Sequence, residues 1–295
     1  MFMLIMTEQN KRVYGGVYVL KRVLSVIFVN VSNALRSARF WGMVVLYVLL
    51  LIYSVRYTFY IGQPVSFTLT DALMVDTESF LLLICAVPSA SLFADEWCSG
   101  RFLFSYLRTK KLGYAVSTML STFIISALVS IIALSLFIIG LSFINPLVGD
   151  IESESYFIRT MMTTNGELLI KGHIFPYYLL TVLTFSCFMG TMSTFAALVS
   201  VWLTNPYIAM VSPVVLIELF QILLGLFHLP VLGDPRIAFS MLNHPYQLLV
   251  HESGMGLSVI STLYPFIYTL ICLVIIIFLA FVLIKRKYAV NSNLR

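Results

Sequence analysis

Long apolar runs separated by short charged segments dominate the chain. A bilayer-spanning helix needs about 20 mostly apolar residues, because about 30 Å of hydrocarbon is covered at a rise of about 1.5 Å per residue. Runs of this kind predict spans over residues 40–60, 79–95, 114–143, 177–203, 207–227 and 264–284. Backbone polar groups in hydrocarbon have no water to bond, which selects helices over open strands. The stretch from Leu112 to Gly149 carries no charge, and that from Gly172 to Ile217 carries none apart from His173. The second is too long for one helix. Asn205-Pro206 is its natural break, since proline ends helices and Asn-Pro opens turns.

Residues 17–39 differ from these runs. Apolar residues recur at Val17, Leu20, Leu24, Ile27, Phe28, Val31 and Leu35, a helical period, between Lys21-Arg22 and Arg36/Arg39. This predicts an amphipathic helix lying in the membrane interface and leading into the first span. The rival is a spanning helix, which would carry Lys21 and Arg22 toward mid-bilayer at high cost. At the other end of the chain, 228–263 holds Pro230, Pro235 and Pro245 among apolar stretches too short to cross. Short re-entrant or interfacial helices before the last span fit it better.

Charge sets the expected orientation. Lys11, Arg12, Lys21, Arg22, Arg36 and Arg39 precede the first span, Arg101, Arg108, Lys110 and Lys111 follow the second, and Lys285, Arg286, Lys287 and Arg295 follow the last. Six spans put these three segments on one side, and the positive-inside rule makes that side the cytosol. Asp71, Asp76, Glu78, Asp150, Glu152, Glu154 and Glu167 then fall outside. The expected organisation is an all-α polytopic membrane protein. It has a cytosolic N-terminus with its interfacial helix over 1–39, a six-span domain over 40–284 and a cytosolic tail over 285–295. A cytosolic loop covers 95–112, and outer segments cover 61–78, 145–176 and 228–263.

Composition agrees: 60% of the 295 residues are hydrophobic and 11% are charged, against about 25% charged in a soluble domain. The net charge of +5 sits beside apolar runs, where it serves topology and lipid headgroups and does not point to nucleic acid. Cys85, Cys98, Cys187 and Cys272 have no paired spacing, so neither a disulfide framework nor a zinc site is expected.

Little in the sequence carries chemistry of its own. There is no G-x-x-x-x-G-K-[ST] loop to hold nucleotide phosphates, no G-x-S-x-G and no H-E-x-x-H. His244, His251 and Glu252 read as solvated outer residues, and Arg56 as a side chain snorkelling at the outer end of the first span. Gly190, Ser193, Thr194, Ala196 and Ala197 supply small groups for close helix packing. Glu218 stands near the middle of the fifth span, where a lipid-facing carboxylate costs on the order of 3 kcal/mol. It either lines a translocation path or binds a cation, or, protonated, it makes a helix–helix hydrogen bond. Gln221 lies one turn further on. The loop Asp95-Glu96-Trp97-Cys98-Ser99-Gly100-Arg101-Phe102-Leu103-Phe104-Ser105-Tyr106-Leu107-Arg108-Thr109-Lys110-Lys111 is charged at its ends and aromatic in the middle. It reads either as a short amphipathic helix able to dock in a partner's groove or as an ordinary interfacial loop.

The interfacial helix, the six spans and the Glu96-x-x-x-Gly100 loop together resemble the type-2 permease subunits of ATP-binding-cassette exporters. Leu103, Leu107 and the basic run Arg108 to Lys111 match the family loop loosely. Arg101 replaces the usual threonine, the family proline is absent, and Ser117 or Thr118 stands where a lysine would be. The resemblance implies that two permease chains pair, as a homo- or heterodimer, in a bacterial cytoplasmic membrane with both termini cytosolic. Each docks its loop into a separate ATPase subunit, which binds ATP and Mg, so this chain itself needs no cofactor and is not an enzyme. Glu96, Gly100, Arg101, Tyr106 and Arg108 would serve coupling. Glu218 and Gln221 would lie near the path or the dimer interface. The cargo class expected is a peptide, a lipid or a hydrophobic compound, exported. A secondary transporter or channel, and an intramembrane enzyme, are the competing classes. The first needs a coupling-ion site and the second clustered His, Glu or Asp within spans, and the sequence shows neither.

Overall fold

The computed structural model describes residues 21–74, 78–88, 96, 102–149, 166–203, 205–227 and 259–292, and among them every regular element is a helix. Helices α1 (Lys21–Leu35) and α2 (Ala38–Ser54) meet at 64°. Ser37 holds the elbow. Its Oγ donates to the Ala34 carbonyl (2.7 Å), an acceptor left over at the end of α1, and accepts from the Phe40 N–H (3.2 Å), capping α2. The Trp41 indole N–H donates to the Leu35 carbonyl at 2.8 Å. Ser37→Ala is expected to cost about 1 kcal/mol, read as a small fall in the melting temperature of the detergent-solubilised protein. An unchanged melting temperature would show that packing alone sets the bend.

Helix α2 buries Phe40, Val44, Tyr47, Leu51 and Ser54, a spacing of alternating four and three residues, and exposes Trp41, Val45, Leu46, Leu49 and Ile52. After it come α3 (Val65–Met74), α4 (Glu78–Ala86) and α5 (Phe102–Ser142). Next are α6 (Gly166–Ile170), α7 (Ile174–Trp202), α8 (Pro206–Phe227) and α9 (Val259–Ser292). Asn205 accepts the Tyr207 N–H on its side chain (3.0 Å), so the chain breaks and restarts at Asn205-Pro206. Three helical stretches are long and apolar enough to cross a bilayer: Lys111–Ser142, Ile174–Trp202 and Pro265–Lys287. The bent pair α1–α2 makes a fourth if it is one crossing. The exposed face of α9, including Ile267, Leu270, Ile271, Val274, Ile275 and Phe278, is continuous hydrocarbon. In water it would be an aggregation surface, and in lipid it matches the solvent. The chain is thus a helical, membrane-embedded protein.

Helix α7 is the central post. Of its span 78% is buried, against 50% for α5 and 28% for α9. It packs on α5, α9, α8, α4 and α6. Small and hydroxyl residues (Ser186, Gly190, Ser193, Thr194, Ala197) let neighbours approach, and Thr191 and Thr194 return their hydroxyls to the Cys187 and Gly190 carbonyls. Hydroxyls along α5 attach the other helices. Ser121 accepts from the Asn30 amide of α1 at 3.4 Å, Ser126 donates to the Cys85 carbonyl of α4 at 2.8 Å, and Ser130 lies 3.5 Å from the Tyr47 hydroxyl of α2.

The helices refine the expected layout. Of the expected interfacial segment 17–39, residues 17–20 lie outside the described residues and 21–35 form α1, set at 64° to α2. Val23 of α1 sits beside Gly113 and Asn30 beside Ser121, so α1 runs along α5 in the same direction. Its exposed residues include the apolar Leu24, Phe28 and Val29 together with Lys21, Arg22 and Asn33. The segment 61–78 is no simple loop: Pro64 opens the ten-residue α3, buried against α2 and α5, and the Val65 N–H donates to the Pro146 carbonyl at 2.9 Å. Residues 102–112 of the expected loop belong to α5. Nothing between Phe102 and Leu112 breaks a helix, so α5 runs 41 residues, about 62 Å. The tail is helical to Ser292. Among the described residues, α4 covers only nine positions, and α8 runs 22 residues with Pro213 inside it. Among these residues three long apolar helices are seen, and six crossings are not. Residues 1–20, 89–95, 150–165 and 228–258, which include most of the expected outer segments, lie outside the described residues.

Candidate functional site

The start of α5, the end of α7 and the end of α9 converge. Tyr114, Ala115 and Met119 of α5 pack with Ala197, Leu198 and Val201 of α7 and with Ile276, Ala280 and Ile284 of α9 in one buried cluster. Each of α7 and α9 contributes one alanine and two branched side chains, and the large Tyr114 ring among them is covered. Lys287 closes the cluster. Its Nζ donates to the Val201 carbonyl at 2.9 Å, where α7 leaves acceptors unpaired and the helix dipole is negative. Lys21 and Arg22 open α1 beside Gly113, Lys111 lies two residues before that glycine, and Lys285 and Arg286 flank the Lys287 anchor. Basic residues from three separate stretches of sequence therefore meet at one end of the bundle.

Glu96 reaches this junction. It is half-buried, and the Tyr114 hydroxyl donates to its Oε2 at 2.5 Å. A hydrogen bond to a carboxylate is worth about 1.5–3 kcal/mol, roughly twice a neutral one. It joins the segment before α5 to a ring wedged among three long helices. A displacement of Glu96 would pull on Tyr114, and through it on α7 and α9.

The other expected coupling residues are less defined. Gly100 and Arg101 lie outside the described residues. Tyr106 and Arg108 fall on the first turns of α5, with side chains outside the described set. Glu218 is exposed on α8, beside Val215 and Leu219, and so belongs to a different surface from Glu96. Gln221 is on the same helix, its side chain outside the described set. Tyr114 and Lys287 are the functional candidates that sequence reasoning missed. Tyr114 is a lone aromatic at the head of an apolar run, and nothing in the sequence ties it to a residue 18 positions earlier. Lys287 reads from sequence as one more basic tail residue.

The opposite end is fastened by backbone bonds. Gly62, at φ +92, turns its N–H to the Asn145 side chain (2.9 Å), and Tyr178 donates to the Leu147 carbonyl (2.7 Å). Among the described residues, no three His, Cys, Asp or Glu side chains are grouped to hold a metal ion. No family model matches the chain, and neither a curated protein nor a solved structure is similar to it.

Proposed function

We propose that the chain is the membrane-spanning permease subunit of a bacterial ATP-binding-cassette exporter, with ATP hydrolysed on a separate partner subunit. The observation that carries this reading is the Glu96–Tyr114 bond at the junction of α5, α7 and α9. A transport subunit without its own nucleotide loop needs an element that takes up a partner's motion and passes it to the spans. Glu96 has both requirements: it belongs to the charged, aromatic segment that resembles the family's coupling loop, and it is bonded to the buried pivot of three helices. The basic residues at this end favour its assignment to the cytosol.

In this reading α1–α2, α4, α5, α7, α8 and α9 supply six crossings, with both termini cytosolic. A second permease chain, identical or homologous, completes the pathway. The cargo is a peptide, a lipid or a hydrophobic compound, and Glu218 and Gln221 of α8 line the path or the chain–chain interface. The work of ATP and Mg on the partner enters this chain through residues 96–108.

The test is biochemical. The chain should co-purify with an ATPase encoded beside it and drive ATP-dependent transport in vesicles. Glu96→Ala and Gly100→Pro should insert in the membrane normally yet lower ATP-dependent transport at least tenfold, which corresponds to about 1.4 kcal/mol of lost coupling. A chain that never associates with an ATPase, or transport that ignores ATP depletion, sinks the reading. Unchanged transport in both variants removes Glu96 from the coupling element.

A further inference from the structure

Away from that junction, at the end of the bundle where α2 and α5 finish, the two helices diverge and leave a cleft of about 470 Å³. Its walls are hydrocarbon: Val48 and Ile52 from α2, Phe137, Gly140 and Ile144 from α5. Ile52, Gly140 and Ile144 are exposed, so the cleft opens on the apolar face that meets lipid. Among the described residues that line it, Arg56 alone is charged.

Arg56 is built into this position. It follows the last turn of α2, and its guanidinium lies over the rings of Tyr53 (3.8 Å) and Tyr57 (4.3 Å). Stacking on ring faces orients the guanidinium while leaving its edge N–H donors available to a ligand. Tyr53, Tyr57 and Tyr60 are all exposed. Tyrosines cluster where a membrane protein meets the headgroups, because one end of the ring is apolar and the other wet. They set Arg56 at headgroup depth, with the apolar cleft running below it into the hydrocarbon.

A void open to lipid does not stay empty, and water has no partners in an apolar slot. An acyl chain fits such a lining, and a guanidinium at its head matches a phosphate with paired N–H donors. We propose that this cleft binds an anionic phospholipid, with one acyl chain between α2 and α5 and the phosphate on Arg56. The site is independent of the exporter reading, since it lies at the other end of the bundle from Glu96.

The test uses the full-length chain in detergent, with thermal unfolding followed as lipid is added. Phosphatidylglycerol should raise the melting temperature more than phosphatidylcholine of the same chains, and glycerol phosphate without chains should not raise it. Arg56→Gln should weaken the response to phosphatidylglycerol about fivefold in apparent affinity and leave that to phosphatidylcholine unchanged. Gly140→Leu is a second variant: no atom lies within 4 Å of the Cβ it would add, so the backbone tolerates a side chain there, and leucine at this wall should narrow the slot. It should lose the response to phosphatidylglycerol. Equal responses to the two lipids overturn the proposal, as do an unchanged affinity in Arg56→Gln and a wild-type response in Gly140→Leu. Stabilisation by glycerol phosphate alone would make this a free-anion site and equally overturn it.

Discussion

Gly190→Leu is expected to prevent α5 and α7 from packing and to leave little folded protein in detergent. A Cβ at position 190 would stand 2.7 and 2.8 Å from two carbons of the Phe123 ring and 3.0 Å from the Phe123 backbone oxygen. The ring can rotate away, but the carbonyl belongs to the α5 backbone and moves only with the helix. Because α7 is the central post, a shift there also disturbs its contacts with α4, α8 and α9. Gly190→Ala is the graded case. Alanine improves helix propensity by about 1 kcal/mol, while overpacking costs about 1–3 kcal/mol. The net loss expected is about 0–2 kcal/mol, seen as a lower melting temperature. Adding Phe123→Leu should recover part of it by removing the ring carbons and not the carbonyl contact. Gly190→Leu unfolding at the wild-type temperature would mean that α5 and α7 do not cross this closely.

That close crossing shows what the sequence does and does not disclose. Small residues from Gly190 to Ala197 announce that α7 packs tightly, because in lipid small side chains are what let backbones approach. Their partner, Phe123, is one of many aromatic residues in apolar runs, and no local pattern selects it. The break at Asn205-Pro206 is legible for a local reason, since proline restricts its own backbone. The misread segments share a different cause. Residues 65–74 carry Thr68 and Thr70, whose hydroxyls return to the Pro64 and Ser66 carbonyls, so part of a stretch that looks polar is satisfied locally and can be buried. Phe102 to Lys111 look like loop because of their charge, yet helix formation responds to the absence of proline and glycine there, and charge does not interrupt it. That α1 lies against α5 shows in Asn30 meeting Ser121, 91 positions away, which periodicity cannot contain.

The same limit governs the candidate site. Glu96 stands out in sequence as an acid at the head of a charged, aromatic segment. Its anchor is Tyr114, and the anchor gains meaning only from Ala197, Val201, Ile276 and Ile284 around it. Residues that act by contact across helices have no signature in spacing. Residues that act at a chain terminus or turn do, which is why Ser37 and Asn205 are easier to interpret from sequence than Tyr114 or Lys287.

Breaking the Glu96–Tyr114 pair is therefore the second change expected to have a large effect. Tyr114→Phe keeps the ring that fills the three-helix cluster and removes only the hydroxyl. Glu96→Ala keeps the hydroxyl and removes its carboxylate acceptor. Each is expected to cost about 1.5–3 kcal/mol. The double variant should cost little more than either single one, because the same bond is lost, giving an interaction energy of about 1–2 kcal/mol in a double-mutant cycle. Thermal unfolding in detergent measures this term, and additive losses would show that the two side chains do not act together. The transport assay then separates stability from coupling. If Glu96 passes motion through Tyr114, Tyr114→Phe should lower ATP-dependent transport about as much as Glu96→Ala, although its packing is intact and it lies outside the segment offered to the partner. A Tyr114→Phe protein that is destabilised but transports normally would leave the bond as a structural tie and detach it from coupling.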